Sequence, residues 1–264
     1  MLTARLATAV VLLAACTTAL FVLPNKWWAV ALLPVLLAAS WEWSVLAGLT
    51  RTARWAFAVI VLVSALLLWL ARDGRHVDVV VYGMSCTFWV LLAPAWLAWR
   101  WQVRAPFALG IAGWIVLVPT WLALAQLQVD PARLLALFGI VWLADTAAYL
   151  IGRAWGRRKL ASTISPGKTW EGVAGAGVAV AVYYVALSSI TPDWPWWNGL
   201  SGVALFAGVA LMSVVGDLFE SWIKRQAGAK DSGTLLPGHG GILDRVDSMT
   251  SSMPFAALLL LYIG

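Results

Sequence analysis

Apolar residues in this chain come in long runs, without the strict alternation of a half-buried strand or the single stripe of a soluble amphipathic helix. Divided at charged residues and at Pro and Gly breaks, the runs cover about 6–23, 27–48, 55–71, 77–99, 105–127, 132–152, 171–190, 199–221 and 250–263. A helix needs about 20 apolar residues to cross a bilayer. The pattern therefore predicts an all-α, polytopic membrane bundle of about nine transmembrane helices, the last one short, with connecting loops too small to form a separate soluble domain.

Composition excludes the soluble alternative, since 62% of the 264 residues are hydrophobic and only 11% are charged, where a soluble domain carries roughly 25% charged residues. Many of the nineteen tryptophans stand at run ends (Trp27, Trp28, Trp99, Trp101, Trp194, Trp196, Trp197), as expected of indoles seeking the headgroup level. Cys16 and Cys86 both lie inside apolar runs and imply neither a disulfide framework nor a zinc cluster. Cys16 closes a Leu13-Ala14-Ala15-Cys16 box of the lipoprotein type, but the apolar run continues to Leu23, which suits a span better than a cleaved leader.

Basic residues set the expected orientation. The N-terminus and the loops after the second, fourth, sixth and eighth runs hold fourteen of the 18 Lys and Arg residues, whereas the other side holds only Lys26, Arg72, Arg75 and Arg133. The positive-inside rule then places the N-terminus and the basic loops in the cytoplasm and the C-terminus outside. The net charge of +6 is thus mostly topology, and no nucleic-acid partner is expected. His76, with Arg72, Asp73, Arg75 and Asp78, reads as a solvated outer loop.

Seven of the twelve acids (Asp145, Glu171, Asp217, Glu220, Asp231, Asp244, Asp247) fall in or beside the last two basic loops. A carboxylate inside a span costs roughly 2.5–3.5 kcal/mol even on the lenient insertion scale, so Asp145 and Asp217 require partners. Asp217, Glu220 or Ser221, and Lys224 recur on one helical face, and Asp244 and Asp247 share a face if that stretch is helical. Between them lie Gly228, Gly233, Gly238, Gly240 and Gly241, a loop whose backbone could approach a phosphate closely. Carboxylates able to hold magnesium, basic side chains and exposed amides are the parts that phosphoryl-type transfer needs. Ser165, Lys168 and Thr169, just before the seventh run, have the chemistry to grip phosphate. Gly172, Gly175 and Gly177 read instead as small residues that let helices pack. Glu42, between Trp41 and Trp43, could either reach for the interface or have a function.

The run from Ser221 to Asp247, with Ile223, Lys224, Arg225, Lys230, Asp231, Gly233, Leu236, Pro237, His239, Gly240, Gly241, Ile242, Asp244, Arg245 and Val246 at its spacing, resembles the complete signature of the phosphatidate cytidylyltransferase (CDP-diacylglycerol synthase) family. The segments Asp145-Thr146 to Gly152-Arg153 and Ser165-Pro166 to Glu171-Gly172 are similar to the family as well, with Gly167 where many members carry a polar residue. The resemblance is specific over about 145–250, and no functional residue is carried over from the first 140.

It implies transfer of a cytidylyl group from CTP to phosphatidate, a membrane lipid, with release of pyrophosphate and a requirement for Mg2+, leaving room for a second cation and a homodimer. On that reading Asp217, Asp244 and Asp247 are the metal ligands. Lys224, Arg225, Asp231, His239 and Arg245 are expected to be catalytic, and Ser165, Lys168, Thr169, Lys230, Gly240, Gly241 and Asp145 to bind substrate. The chain then divides into N-terminal transmembrane helices over 1–130 and a catalytic transmembrane region over 131–264, with cytoplasmic loops at 153–170 and 222–249, set in a bacterial-type inner membrane. The alternatives are a CTP-dependent transferase acting on another lipid phosphate or a polyprenol, and a cation transporter using Asp145, Asp217 and Glu220 as a conduction path.

Overall fold

The computed structural model describes residues 14–72, 75–192, 194, 199–235 and 240–263. The first expected run lies partly outside them, and its described part is helical over 14–22 (α1). Among the described residues eight further crossings are long and apolar enough to span a membrane, and they match the eight other expected runs. The first is formed by α2 (Asn25–Ala31) with α3 (Leu33–Leu46), and the second is α4 (Arg51–Leu70). The third joins α5 (Arg75–Thr87), a π-helical turn (Phe88–Leu92) and α6 (Ala93–Trp99). The rest are α7 (Pro106–Leu127), α8 (Pro131–Trp155), α9 (Trp170–Ile190), α10 (Gly199–Gln226) and α11 (Leu243–Ile263). The chain is an all-α polytopic membrane protein. To this the structure adds a small antiparallel hairpin between α8 and α9, β1 (Lys159–Ala161) and β2 (Ser165–Thr169), with Lys159 opposite Thr169 and Ala161 opposite Ser165.

Local chemistry sets the helix starts. Thr50 and Asp130 cap α4 and α8 by accepting the Ala53 and Arg133 amides, and proline opens α7 and α8, where its missing N–H costs nothing. Pro94, at the start of α6, cannot donate to the preceding turn, and the helix widens into the π turn just before it. The most enclosed crossing is α7, which packs against α2, α3, α4, α5, α8 and α11. Gly172 and Gly175 of α9 lie against the Ala148 carbonyl and Ile151 of α8, the close packing expected of them.

The Arg72–Asp78 segment differs from its expectation. Asp78 is buried, takes the Arg72 guanidinium at 2.9 and 3.2 Å, and accepts from Gln126 of α7 at 3.1 Å. Arg75 stacks over Tyr262 of α11. This is a polar tie between helix ends, because a charge this close to the apolar layer must find partners within the protein. Arg75 and His76 remain exposed as expected, and Asp73 lies outside the described residues.

Helix length positions the remaining charges. The 28 residues of α10 rise about 42 Å at 1.5 Å each, longer than the roughly 30 Å hydrocarbon layer. If Gly199 starts at one surface, Asp217 falls near the other and Lys224 beyond it. The antiparallel neighbour α11 starts at Leu243, earlier than expected from hydropathy. Asp244 and Asp247 therefore occupy its first two turns at that same end.

Candidate active site

Asp217 and Asp247 stand where α10 crosses α11. Gly216 allows the approach: a Cβ there would overlap the Ser251 hydroxyl and come within 2.6 Å of the Asp247 carbonyl. A third carboxylate enters from α8, where Asp145 accepts from the Ser248 hydroxyl of α11 at 3.2 Å. Asp145 lies ten residues before the end of α8 at Trp155, so the site reaches about 15 Å down the helix. Together with Asp244, these residues line a cavity of about 660 Å³.

The hairpin forms the outer wall of the cavity and brings in positive charge. Lys168 of β2 pairs with Asp217, its Nζ 2.6 Å from Oδ2, and Arg153 and Lys159 line the same space along with Ser165, Thr169, Tyr149 and Ser248. Thr169 does not present a free hydroxyl. It is buried and caps α9, accepting the Gly172 amide at 3.1 Å. Glu171 holds the hairpin from outside by accepting the Arg157 and Arg158 amides. Arg153, Lys159 and Ser248 were not singled out from sequence. Arg153 and Lys159 belong to the basic loop read there as topology, and only the fold turns part of that charge inward.

The glycine loop is organised from within. Asp244 Oδ2 accepts from the Ser232 amide at 2.9 Å, the Ser232 hydroxyl at 3.0 Å and the Gly241 amide at 2.8 Å, while Oδ1 takes Lys224 Nζ at 2.6 Å. Lys224 is buried, lies 3.0 Å from Glu220 as well, and does not line the cavity. Gly240 adopts φ +82°, and a Cβ there would come within 2.7 Å of Asp244 Oδ2.

Of the residues expected to act at the site, the fold therefore gathers Asp145, Ser165, Lys168, Thr169, Asp217, Asp244 and Asp247 at one cavity. Arg225, Lys230, Asp231 and Arg245 are exposed and, with Gly240 and Gly241, stand outside its lining. Arg225 donates to the Ile164 and Ala229 carbonyls, tying the hairpin turn to the loop. His239 lies outside the described residues.

The chemistry of the carboxylates suits a magnesium ion. Among the described residues no three His, Cys, Asp or Glu side chains form a ready-made cage. Magnesium, however, typically uses one or two carboxylates, with water and substrate phosphates filling the other positions. Asp217 already holds a cation, the Lys168 ammonium, inside a cavity that Asp145 and Asp247 also line.

Comparison with known proteins identifies the family. The family model described as "Cytidylyltransferase family" matches residues 3–263. The chain is 33% identical to a phosphatidate cytidylyltransferase of Haemophilus influenzae, with all of both chains covered. It is 37% identical to one of Pseudomonas aeruginosa, over 98% of this chain and 97% of that one. A third, of Brucella suis, is 38% identical over 86% and 80% of the two chains. Matched over nearly its whole length by the family model and by these relatives, the chain belongs to the cytidylyltransferase family.

Proposed function

We propose that this chain transfers the cytidylyl group of CTP to the phosphate of phosphatidate, giving CDP-diacylglycerol and pyrophosphate. One observation carries the pairing of a polar nucleotide with a lipid. The acid-lined cavity shares Val173 and Val214 with an apolar groove of about 350 Å³ between α9 and α10. A headgroup and its chains thus have adjoining sites of opposite character, and the names of the relatives supply the nucleotide and the lipid.

A phosphatidate oxygen attacks the α-phosphorus of CTP, the bond from that phosphorus to the bridging oxygen of the β-phosphate breaks, and pyrophosphate leaves with the electron pair. The attacking phosphate is already anionic at neutral pH, so no base has to generate it, and alignment with charge neutralisation carries the acceleration. Lys168, Arg153 and Lys159 face the phosphates from the hairpin side. Asp217 and Asp247 would hold magnesium, with Asp145 behind them, and Asp244 serves the loop. The ion would supply positive charge that offsets the charge of the phosphates. Both loops face the cytoplasm, which supplies CTP; the basic asymmetry of the chain supports this orientation.

The test is a transfer assay on purified protein in detergent. Label from the α-phosphate of CTP should enter a chloroform-soluble product only when phosphatidate is present, with one pyrophosphate released per lipid formed. Label arriving from the γ-phosphate would identify a kinase. Transfer to a polyprenyl phosphate in preference to phosphatidate would change the acceptor.

A further inference from the structure

Glu42, one turn before the C-terminal end of α3, is 6% exposed and belongs to the part of the chain that contributes nothing to the cavity lining, which begins at Asp145. Its carboxylate nevertheless reaches the glycine loop. Oε1 accepts from the Ile242 amide at 2.9 Å, and Oε2 accepts from the Leu243 amide at 2.8 Å and lies 2.9 Å from the Ser232 hydroxyl. One side chain therefore closes both ends of the loop. Among the described residues no Lys, Arg or His forms an ion pair with it, so its charge is met by hydrogen-bond donors and by the N-terminus of α11. Two of the loop's glycines fit around it: a Cβ on Gly233 would come within 2.6 Å of Oε1, and one on Gly241 would overlap Oε2.

We propose that Glu42 is a positioning residue for the transfer reaction, acting through Ser232, Ile242 and Leu243 to fix the first turns of α11. The inference rests on the reaction proposed above. The Ser232 hydroxyl lies between Glu42 Oε2 and Asp244 Oδ2, so the clamp runs from α3 through the loop to Asp244, and one turn further α11 presents Asp247 to the cavity. Packing alone does not require an ionised group here, since an apolar side chain of the same shape avoids the desolvation penalty. The carboxylate is needed because two backbone amides converge on it together with the Ser232 hydroxyl that it shares with Asp244.

The experiment compares wild type with Glu42→Gln, which keeps the shape but replaces one acceptor oxygen with a donor. Gly208→Ala serves as a control away from the site, where the new Cβ meets Phe255. Hydrogen exchange at the Ile242 and Leu243 amides should rise in Glu42→Gln, whether or not the chain transfers cytidylyl groups. Turnover should fall about 10- to 100-fold, as for a sub-ångström to 1 Å misplacement of reacting groups. The magnesium concentration for half-maximal activity should rise, and the KM for phosphatidate should stay within about twofold. Gly208→Ala, compared at equal margin below its own melting temperature, should keep the wild-type magnesium requirement. Unchanged exchange at 242–243, or a Glu42→Gln variant with wild-type turnover and magnesium requirement, would overturn the proposal. A wild-type protein that transfers no label would instead refute the reaction, while the exchange data still decide the clamp.

Discussion

Lys224 separates two readings of the same sequence, because a lysine in a phosphate-transfer signature is expected at phosphate and the structure buries it. Its ammonium lies 2.6 Å from Asp244 and 3.0 Å from Glu220, with side-chain exposures of 11%, 6% and 4% for the three residues. Replacing it with methionine keeps the stem and removes the charge, which leaves two buried carboxylates uncompensated. Breaking a buried pair from one side costs about 3–5 kcal/mol. For a chain of this size, at roughly 2–4 °C per kcal/mol, that corresponds to a fall in melting temperature of about 6–20 °C. Tryptophan fluorescence in detergent would follow the transition. Adding Glu220→Gln to Lys224→Met should recover part of the loss, as coupled residues depart from additivity. The KM for CTP should stay close to wild type at temperatures where the variant remains folded. A Lys224→Met protein that melts normally but binds CTP tenfold more weakly would refute the reasoning and return this lysine to the phosphates.

Lys168→Met should behave in the opposite way: its pair with Asp217 is partly open, at 23% and 27% exposure, so stability should change by less than about 1 kcal/mol while transfer from CTP falls at least tenfold. Asp217→Asn should lose turnover by orders of magnitude yet insert and purify normally; near-normal activity at saturating magnesium would remove Asp217 from the ion. Gly216→Ala should lower stability by about 1–3 kcal/mol, because its new methyl meets Ser251 and the Asp247 carbonyl, and turnover should fall with it, which a thermal melt and a transfer assay on one preparation would show. Removing divalent ions with a chelator should abolish binding of labelled CTP, and magnesium should restore it. Cysteine labelling in intact cells should find positions 162 and 229 protected and position 262 accessible if the basic loops face the cytoplasm.

The transmembrane architecture was legible because hydropathy sets it, and the crossings from α2 to α9 begin and end within a few residues of their expected positions. The first turns of α11 were not legible from hydropathy: Asp244, Arg245, Asp247 and Ser248 interrupt the apolar run, and only the opposing groups of α8, α10 and the glycine loop make them part of a helix. The hairpin was also missed, since Lys159–Ala161 and Ser165–Thr169 are too short and too polar to signal strands. Asp145, Asp217 and Asp247 could be found as charges that a membrane segment does not carry without reason. Arg153 and Lys159 could not be told from anchors of the basic loop, because their sequence position is the same in either role.

The loop signature misleads in an instructive way, and the disposition of hydrogen-bond donors explains why. Glycines in such a loop suggest close approach of a phosphate, yet Gly233 and Gly241 accommodate Glu42, and Gly240 accommodates Asp244. The carboxylates divide by what their own fold supplies. Asp244 receives three nitrogen donors and Glu42 two backbone amides, with the one Ser232 hydroxyl proton shared between them, Asp78 receives three, and both oxygens of Glu171 accept backbone amides. These groups are satisfied and hold structure. Asp145 receives Ser248, Asp217 receives Lys168 and Ser221, and Asp247 receives the Ser248 amide. Those three keep acceptor capacity and line the cavity, whereas Glu220, whose Oε1 is buried without a hydrogen-bond partner among the described residues, does not line it. A carboxylate whose lone pairs are filled by its own chain has little left for a cation, so the unfilled ones that face the cavity are those able to take one.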